Sequence, residues 1–190
     1  MQRTYIEEKT FKQTNFSENA LPTGDYENCV FIDCNFSNTN LSSINFADCT
    51  FTSCNLSMAS LSKTAFKDCK FKDCKLLGLH FNHCNDFLFA VDFENCILNL
   101  SSFYKVKLKK TNFKNSSLHE VDFTGADLNS ALFDNCDLLK ATFENTILEK
   151  ANFSTAFNYA IHPELNRIKK AKFSIMGISG LLAHYDIEIQ

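Results

Sequence analysis

The residues that could do chemistry in this 190-residue chain are its nine cysteines and five histidines. The densest group is His80, His83 and Cys84, whose side chains are of the types that bind zinc. Their spacing matches no standard structural zinc pattern, and no fourth ligand stands beside them in the sequence. No two cysteines are separated by only two residues, so the thiol redox motif is absent. We therefore predict no metal site and no bound cofactor.

Motifs for nucleophilic catalysis and for phosphate binding are also missing. The sequence has no Gly-x-Ser-x-Gly elbow, and its five glycines form no phosphate-cradling loop. The histidines are scattered, and serine and aspartate are residues that turns favour. The sequence therefore predicts no catalytic residue, no enzyme and no small-molecule substrate.

Composition limits the partners and the compartment. The net charge of −3 argues against direct binding of nucleic acid, which normally needs a basic surface. No run of apolar residues is long enough to cross a membrane. Residues 1–8 contain no apolar signal region, so we expect a cytoplasmic protein with reduced cysteines. The 20 phenylalanines, with no tryptophan, indicate a repeating unit.

Large apolar residues recur at every fifth position from Ile6 to Phe81. The next step falls on Asp86, and a shift of two residues restores the pattern from Leu88 to Phe153. A period of five fits neither a helix nor a plain strand. It requires a chain that bends at every repeat and turns one large side chain inward each time.

A second period, of twenty residues, groups the repeats into coils. Small or medium residues stand two positions before the large ones, and eight of them are cysteines. Six of these fall in two series spaced by twenty: Cys29, Cys49 and Cys69, and Cys34, Cys54 and Cys74. Once the shift is counted, nine phenylalanines share one column: Phe11, Phe31, Phe51, Phe71, Phe93, Phe113, Phe133, Phe153 and Phe173. We therefore predict four units to a coil, a local bulge at the shift, and buried thiols rather than disulfides.

The units CNFSN, ADLNS, CDLLK and ANFST resemble those of the pentapeptide-repeat family, whose pattern is A(D/N)LXX. The resemblance implies an all-β fold, a right-handed quadrilateral β-helix solenoid of about eight coils with a short C-terminal helix cap. We expect the β-helix to span residues 1–173, with the two-residue slip near 82–88. Residues 174–190 would then either cap the open end or join two copies of the chain.

The slip is the main irregularity of the repeat. Bulges often re-aim side chains near functional sites. We expect this one to turn His83, Asn85, Asp86 and one or both of Phe87 and Phe89 outward. Two interpretations stay open, a tolerated insertion that adjusts the twist and a contact for a partner.

The C-terminal runs NYAIHPELNRIKKAKFS and GLLAHYDIEI resemble the ends of the topoisomerase-protecting members of the family, and CKLLGLHF resembles the middle of the albicidin-resistance member. Those quinolone- and albicidin-resistance proteins are dimers joined through their C-terminal ends. They are thought to imitate double-stranded DNA and so engage DNA gyrase or topoisomerase IV. The resemblance implies a homodimer whose candidate interface residues are Ile178, Leu181, Leu182, Tyr185 and Ile187.

The charges along the chain are mixed, whereas a DNA mimic should be acidic throughout. Lysines form two clusters: Lys63, Lys67, Lys70, Lys72 and Lys75, and then Lys105, Lys107, Lys109, Lys110 and Lys114. Acids follow, with Glu120 and the candidate partner-binding residues Asp122, Asp127, Asp134, Asp137, Glu144 and Glu149 on several faces. Two functions remain open, a topoisomerase-binding DNA mimic that protects against inhibitors and a scaffold for an unrelated protein partner.

Overall fold

The computed structural model describes residues 3–185 and 187–188. Thirteen short strands in this part of the chain form two parallel sheets, one of four strands (β1-β3-β5-β7) and one of nine (β2-β4-β6-β8-β9-β10-β11-β12-β13). The strands are β1 Thr4–Glu7, β2 Thr10–Lys12, β3 Gly24–Glu27, β4 Val30–Ile32, β5 Asn45–Ala47, β6 Thr50–Thr52, β7 Ala65–Lys67, β8 Cys69–Lys72, β9 Val91–Glu94, β10 Asn112–Lys114, β11 Leu132–Asp134, β12 Asn152–Phe153 and β13 Lys172–Phe173.

Each strand pairs with the strand one coil later in the chain. Phe11 lies beside Phe31, and Phe31 beside Phe51, at the predicted spacing of twenty residues. The two faces without strands are joined by single bridges such as that between Asn35 and Asn55. The predicted right-handed four-sided β-helix of about eight coils is confirmed.

Left-handed backbone at the corners explains the polar outer positions of the repeat. The second residue after a large inward residue has a positive φ, for example 53° at Asp33, 55° at Asn38 and 51° at Asp48. Asparagine and aspartate tolerate this region better than most residues, because their short polar side chains can bond locally. The repeat therefore bends every five residues without glycine at most corners.

The predicted phenylalanine column fills the interior of the β-helix. Phe113 stacks on Phe93 with centroids 5.2 Å apart and on Phe133 at 4.9 Å. Rings on the neighbouring face, such as Phe103 and Phe123, meet it edge-on at 6.1 and 6.0 Å. Stacked and edge-to-face contacts are both favourable arrangements of aromatic quadrupoles. The core is therefore one continuous aromatic and aliphatic column.

The cysteines pack as small core residues, as predicted. Eight of the nine are buried, and all nine are free thiols. The Cys54 thiol lies 3.4 Å from the carbonyl oxygens of Phe31 and Thr52, so it donates weakly to the neighbouring coil. Burial also raises the pKa of the Cys49 thiol to about 12, because the thiolate would be poorly solvated. The Cys49 thiol is therefore neutral near pH 7.

The predicted inward position of Leu88 is wrong. Its side chain is 64% exposed and its backbone is left-handed, with φ of 58°. Phe89 turns toward the core instead, with its ring centroid 6.5 Å from Phe66 and 6.3 Å from Phe81. In a bulge either of two neighbouring residues can point inward. Burial of Phe89 rather than Leu88 removes more apolar area from water, because its side chain is larger.

The five-residue spacing, continued beyond Phe153, falls on Asn158, but this residue does not point into the core. Asn158 is exposed with φ of 58°, and its amide donates to the Asp137 carboxylate at 2.8 Å. Tyr159 takes the inward place, with its ring centroid 5.7 Å from that of Phe153. Asparagine suits the left-handed corner and tyrosine the core, so the last coil is shifted by one residue.

The C-terminal segment closes the end of the β-helix with two short helical turns. The Ser174 hydroxyl accepts a hydrogen bond from the Gly177 amide at 3.0 Å and caps the 3₁₀ turn Ile175–Gly177. The helix α1, Ser179–Leu182, follows. A Cβ at Gly180 would collide with the carbonyl oxygen of Tyr159, so glycine is required for this close approach. Within the described residues, no helix is long and apolar enough to cross a membrane.

Candidate partner-binding surfaces

The bulge, defined here as residues 82–90, is attached to the preceding coil. The amides of Asn85 and Ala90 donate to the carbonyls of Thr64 and Phe66, at 2.8 and 3.0 Å. Between these two bonds the chain leaves the wall of the β-helix. The sheet that contains β7 ends at this point, whereas the other sheet continues through all its coils.

The bulge turns outward the residues for which this was expected. His83, Asn85 and Asp86 are exposed, and Phe87 is 64% exposed. The Asn85 side chain accepts a hydrogen bond from the Phe87 amide at 2.9 Å, which holds the turn. Of the two phenylalanines, one or both of which were expected outside, Phe87 turns outward and Phe89 packs inward. The bulge therefore presents a polar rim with Phe87 and Leu88 at its tip.

The histidines beside the bulge form no metal centre. The rings of His80 and His83 stack, with centroids 5.2 Å apart. Among the residues that the structure describes, no three His, Cys, Asp or Glu side chains are arranged to hold a metal ion.

Most of the candidate acids are engaged within the β-helix itself. Two form ion pairs, Asp127 with Lys109 at 3.2 Å and Glu149 with Arg167 at 2.7 Å, and Asp137 is hydrogen-bonded to the His119 ring at 2.7 Å. Asp122 accepts from the Thr124 amide, and Asp134 from the Thr155 hydroxyl, each at 2.9 Å. The ion pairs neutralise two of these carboxylates, and the hydrogen bonds hold the others against the surface of the β-helix.

Asp137 shows the electrostatic effect of these contacts most clearly. Burial favours its neutral form, but hydrogen bonds from His119 and Asn158 lower the pKa of its carboxyl below the usual value. By contrast, Glu120 and Glu144 are exposed, and neither carboxylate has a hydrogen-bond or ion-pair partner within the described residues. These two are the candidate acids most available to a partner.

The acids do not form one stripe. Asp122 and Glu144 lie on the same face of the β-helix, and Glu120 lies at its corner. The remaining acids occupy the other three faces. Asp127 lies in the column of Lys107, with Glu149 two positions along the same face, Asp134 lies in the column of Lys114, and Asp137 lies in that of Ser117. One local acidic area therefore exists, near the C-terminal end of the rod.

The C-terminal turns expose apolar side chains at the end of the rod. Ile178, Tyr185 and Ile187, three of the candidate interface residues, are about half exposed. Leu181 and Leu182 are partly buried, and Leu181 packs against the core.

Ile175 and Met176 are the most exposed apolar residues of this end, at 89% and 91%, and they are not among the interface residues predicted from the sequence. A signal was present in the sequence, because both belong to a short C-terminal tail with more large apolar residues than the end of one coil needs to bury.

A family model described as a pentapeptide repeat region matches residues 25–85, 44–109 and 80–153, which together span well over half of the chain. The chain belongs to the pentapeptide-repeat family. The matches run through the bulge and stop before the irregular last coil. A comparison with curated proteins finds no match.

Solved structures of other pentapeptide-repeat proteins have the same fold. A trypsin-treated variant of QnrB1, a plasmid-mediated fluoroquinolone resistance protein, aligns with a TM-score of 0.75 and 18% identity, covering 98% of this chain and 92% of that one. HetL, which is involved in heterocyst differentiation regulation in the cyanobacterium Nostoc sp. strain PCC 7120, aligns with a TM-score of 0.53 and 15% identity, covering 90% and 86%. At these identities the likeness establishes the β-helix alone.

Proposed function

We propose that this pentapeptide-repeat protein is a non-enzymatic homodimer that binds DNA gyrase or topoisomerase IV and protects it from inhibitors. The observation that carries the proposal is the likeness of fold to QnrB1, a fluoroquinolone resistance protein, over 98% of the chain. The C-terminal sequence runs that resemble topoisomerase-protecting proteins support it independently. The interior is filled by side chains, so the protein would act through its surface.

The dimer part of the proposal rests on the C-terminal end. Ile175, Met176 and Ile178 leave a contiguous apolar surface there, beyond what capping one coil requires. Two copies that meet through this end bury it by a self-complementary contact. Such a dimer doubles the length of the rod and brings the acidic area of each copy toward its centre.

Paired substitution of Ile175→Asp and Met176→Asp should convert the dimer to monomers, because each copy would place two charges in an apolar interface. Sedimentation velocity measures the change in mass. Met58→Asp is the matched control, since Met58 is 59% exposed on a side face and should leave the dimer intact. A native protein that is monomeric at 50 times its assay concentration would contradict the dimer.

The test of function is a gyrase supercoiling assay with a fluoroquinolone or albicidin and increasing amounts of the purified protein. We expect the protein to restore supercoiling in the presence of the drug. Glu144→Lys should weaken this protection by about tenfold, because it reverses an unpaired charge in the acidic area. Lys150→Glu, at a corner one unit further on, should change it by less than about twofold.

Failure of a folded dimeric sample to affect either gyrase or topoisomerase IV, at any drug concentration, would overturn the proposal. Equal protection by native protein and Glu144→Lys would instead remove the acidic area from the contact.

A second function, as a scaffold for a different protein, is favoured by the lysines around the bulge, because their positive charge is unlike a phosphate backbone. The fold is also compatible with this function, since HetL, which has it, is involved in heterocyst differentiation regulation. A partner of this second kind would be recognised at the bulge rather than at the acidic area.

A further inference from the structure

The wall of the β-helix is open on the side of the bulge that faces the following coil. In later coils the amides of Asp127 and Ile147 donate to Val106 and Ala126 of the coil before, each at 2.9 Å. Lys107 holds the same position one coil earlier, and its amide has no hydrogen-bond partner in the described part of the chain. The bulge has therefore left a backbone donor unpaired at the surface.

A groove occupies this opening. A cavity of about 380 Å³ lies between the bulge and the following coil, with Phe89 and Val106 among its lining residues. A second cavity, of about 460 Å³, lies under Phe87 and Leu88. The two share Asp86, Phe89 and Lys107, so they form one continuous groove with an apolar floor.

Lysines dominate the charge around the groove. Five exposed or partly exposed lysines surround the bulge, and none is in an ion pair with a described residue: Lys63, Lys67, Lys105, Lys107 and Lys110. The opposing carboxylates in this area are Asp68, Asp86 and Asp92, since Asp127 is already paired with Lys109. This surface is therefore positive on a protein whose net charge is −3.

The tip of the bulge adds an apolar contact. Phe87 and Leu88 are each 64% exposed, and the ammonium of Lys67 lies 5.5 Å above the Phe87 ring. Leu88 also has a left-handed backbone, a conformation for which asparagine or glycine is the better residue. An exposed position and a left-handed backbone both disfavour leucine. An apolar side chain of a partner that packs on Leu88 would favour it.

We propose that this groove binds an extended acidic segment of a partner protein that carries at least one large apolar side chain. The apolar side chain would pack on Phe87 and Phe89, and carboxylates on either side would face the lysines. A backbone carbonyl of the segment would accept the hydrogen bond of the Lys107 amide, as an added strand does at a sheet edge. This inference does not depend on the identity proposed above for the partner.

A protein segment fits the groove better than a nucleic acid. Phosphates would satisfy the lysines but would leave Phe87, Leu88 and the apolar floor exposed. The net charge of −3 also opposes approach of a polyanion, whereas a short acidic segment meets only the local positive surface.

The test is fluorescence anisotropy with labelled ten-residue peptides and the full chain. The first probe alternates aspartate with leucine and phenylalanine, so that an extended backbone places acids and apolar groups on opposite faces. The second replaces aspartate by lysine, the third replaces the apolar residues by serine, and the fourth is a 20-base-pair DNA duplex. We expect saturable micromolar binding of the first probe and at least about tenfold weaker binding of the other three.

Matched variants locate the site. Lys107→Glu with Lys110→Glu should weaken binding of the first probe by about tenfold or more. Lys140→Glu with Lys150→Glu makes the same charge change at exposed corners in later coils, and should change it by less than about twofold. Phe87→Ser with Leu88→Ser alters only exposed side chains, so folding is retained and weaker binding reports the apolar contact.

Amide chemical shifts of the isotope-labelled protein give a readout that charge alone would not produce. The first probe should shift the Lys107 amide strongly, as expected for a new hydrogen bond. Absence of saturable binding up to about 1 mM, equal binding of the lysine peptide, or tighter binding of the DNA duplex would each overturn the proposal.

Discussion

Replacing Phe113 by alanine is expected to lower the free energy of unfolding by about 3–5 kcal/mol, the cost of deleting a buried aromatic side chain. Phe113 is fully buried and lies between Phe93 and Phe133, with centroid distances of 5.2 and 4.9 Å. Its removal leaves a cavity and breaks two stacked contacts, because the flanking coils are held at fixed spacing by their hydrogen bonds and cannot collapse inward.

Urea unfolding followed by far-ultraviolet circular dichroism measures this loss. Phe87→Ala is the matched control, since the same side chain is removed from an exposed position, and it should cost less than about 0.5 kcal/mol. Comparable losses in the two variants would contradict the burial of the phenylalanine column.

Asn166→Ala should cost about 2–4 kcal/mol, since it orphans several buried backbone groups at once. The Asn166 side chain accepts from the Thr146 amide at 2.9 Å and donates to the carbonyls of Phe143 and His162, at 2.8 and 3.0 Å. The residue is buried in the irregular last coil, where these bonds replace the regular ladder. Alanine can make none of these three hydrogen bonds, and water cannot easily reach the buried backbone groups to replace them.

The loss should be concentrated in the last coils, because each coil of a solenoid contacts only its neighbours. Hydrogen exchange of the amides between residues 143 and 168 should accelerate, while amides of the first coils keep their protection. Asn152→Ala, which removes a single bond to the Ser154 amide, is the control and should cost less than about 1 kcal/mol. Uniform acceleration along the chain would contradict a local role.

Both predictions rest on features that the sequence reveals to different degrees. Phe113 belongs to a column of nine phenylalanines at a spacing of twenty, which sequence alone places in the core. Asn166 has no such signature. It stands two residues before a large inward residue, where the repeat usually has a small residue, so its sequence context suggests only an irregular unit. Only the backbone around it shows that its three polar contacts complete the coil.

The bulge illustrates the same division. Its location was predictable, because the five-residue spacing fails at Asp86 and resumes two residues later. Which residue turns inward was not predictable, since Leu88 and Phe89 both fit the interrupted pattern. The choice depends on the space beside Phe66 and Phe81, which no local pattern records.

The charged residues depend most on the tertiary structure. Counting by twenty places the acids on several faces, but it does not distinguish Asp137, paired with His119, from Glu144, which is free to meet a partner. The same holds for the lysines, of which Lys109 is paired and Lys107 lines an open groove.

The sequence by itself determined the β-helix, its coil length, its inward columns and the position of its one bulge, because a strict repeat makes each coil a copy of its neighbour. Only the tertiary structure decided which residue fills the core at each irregular point, which charges are neutralised and where a backbone donor is left unpaired. These features depend on contacts between coils at the points where the repeat is broken. At such points the structure of one coil cannot be inferred from that of its neighbour.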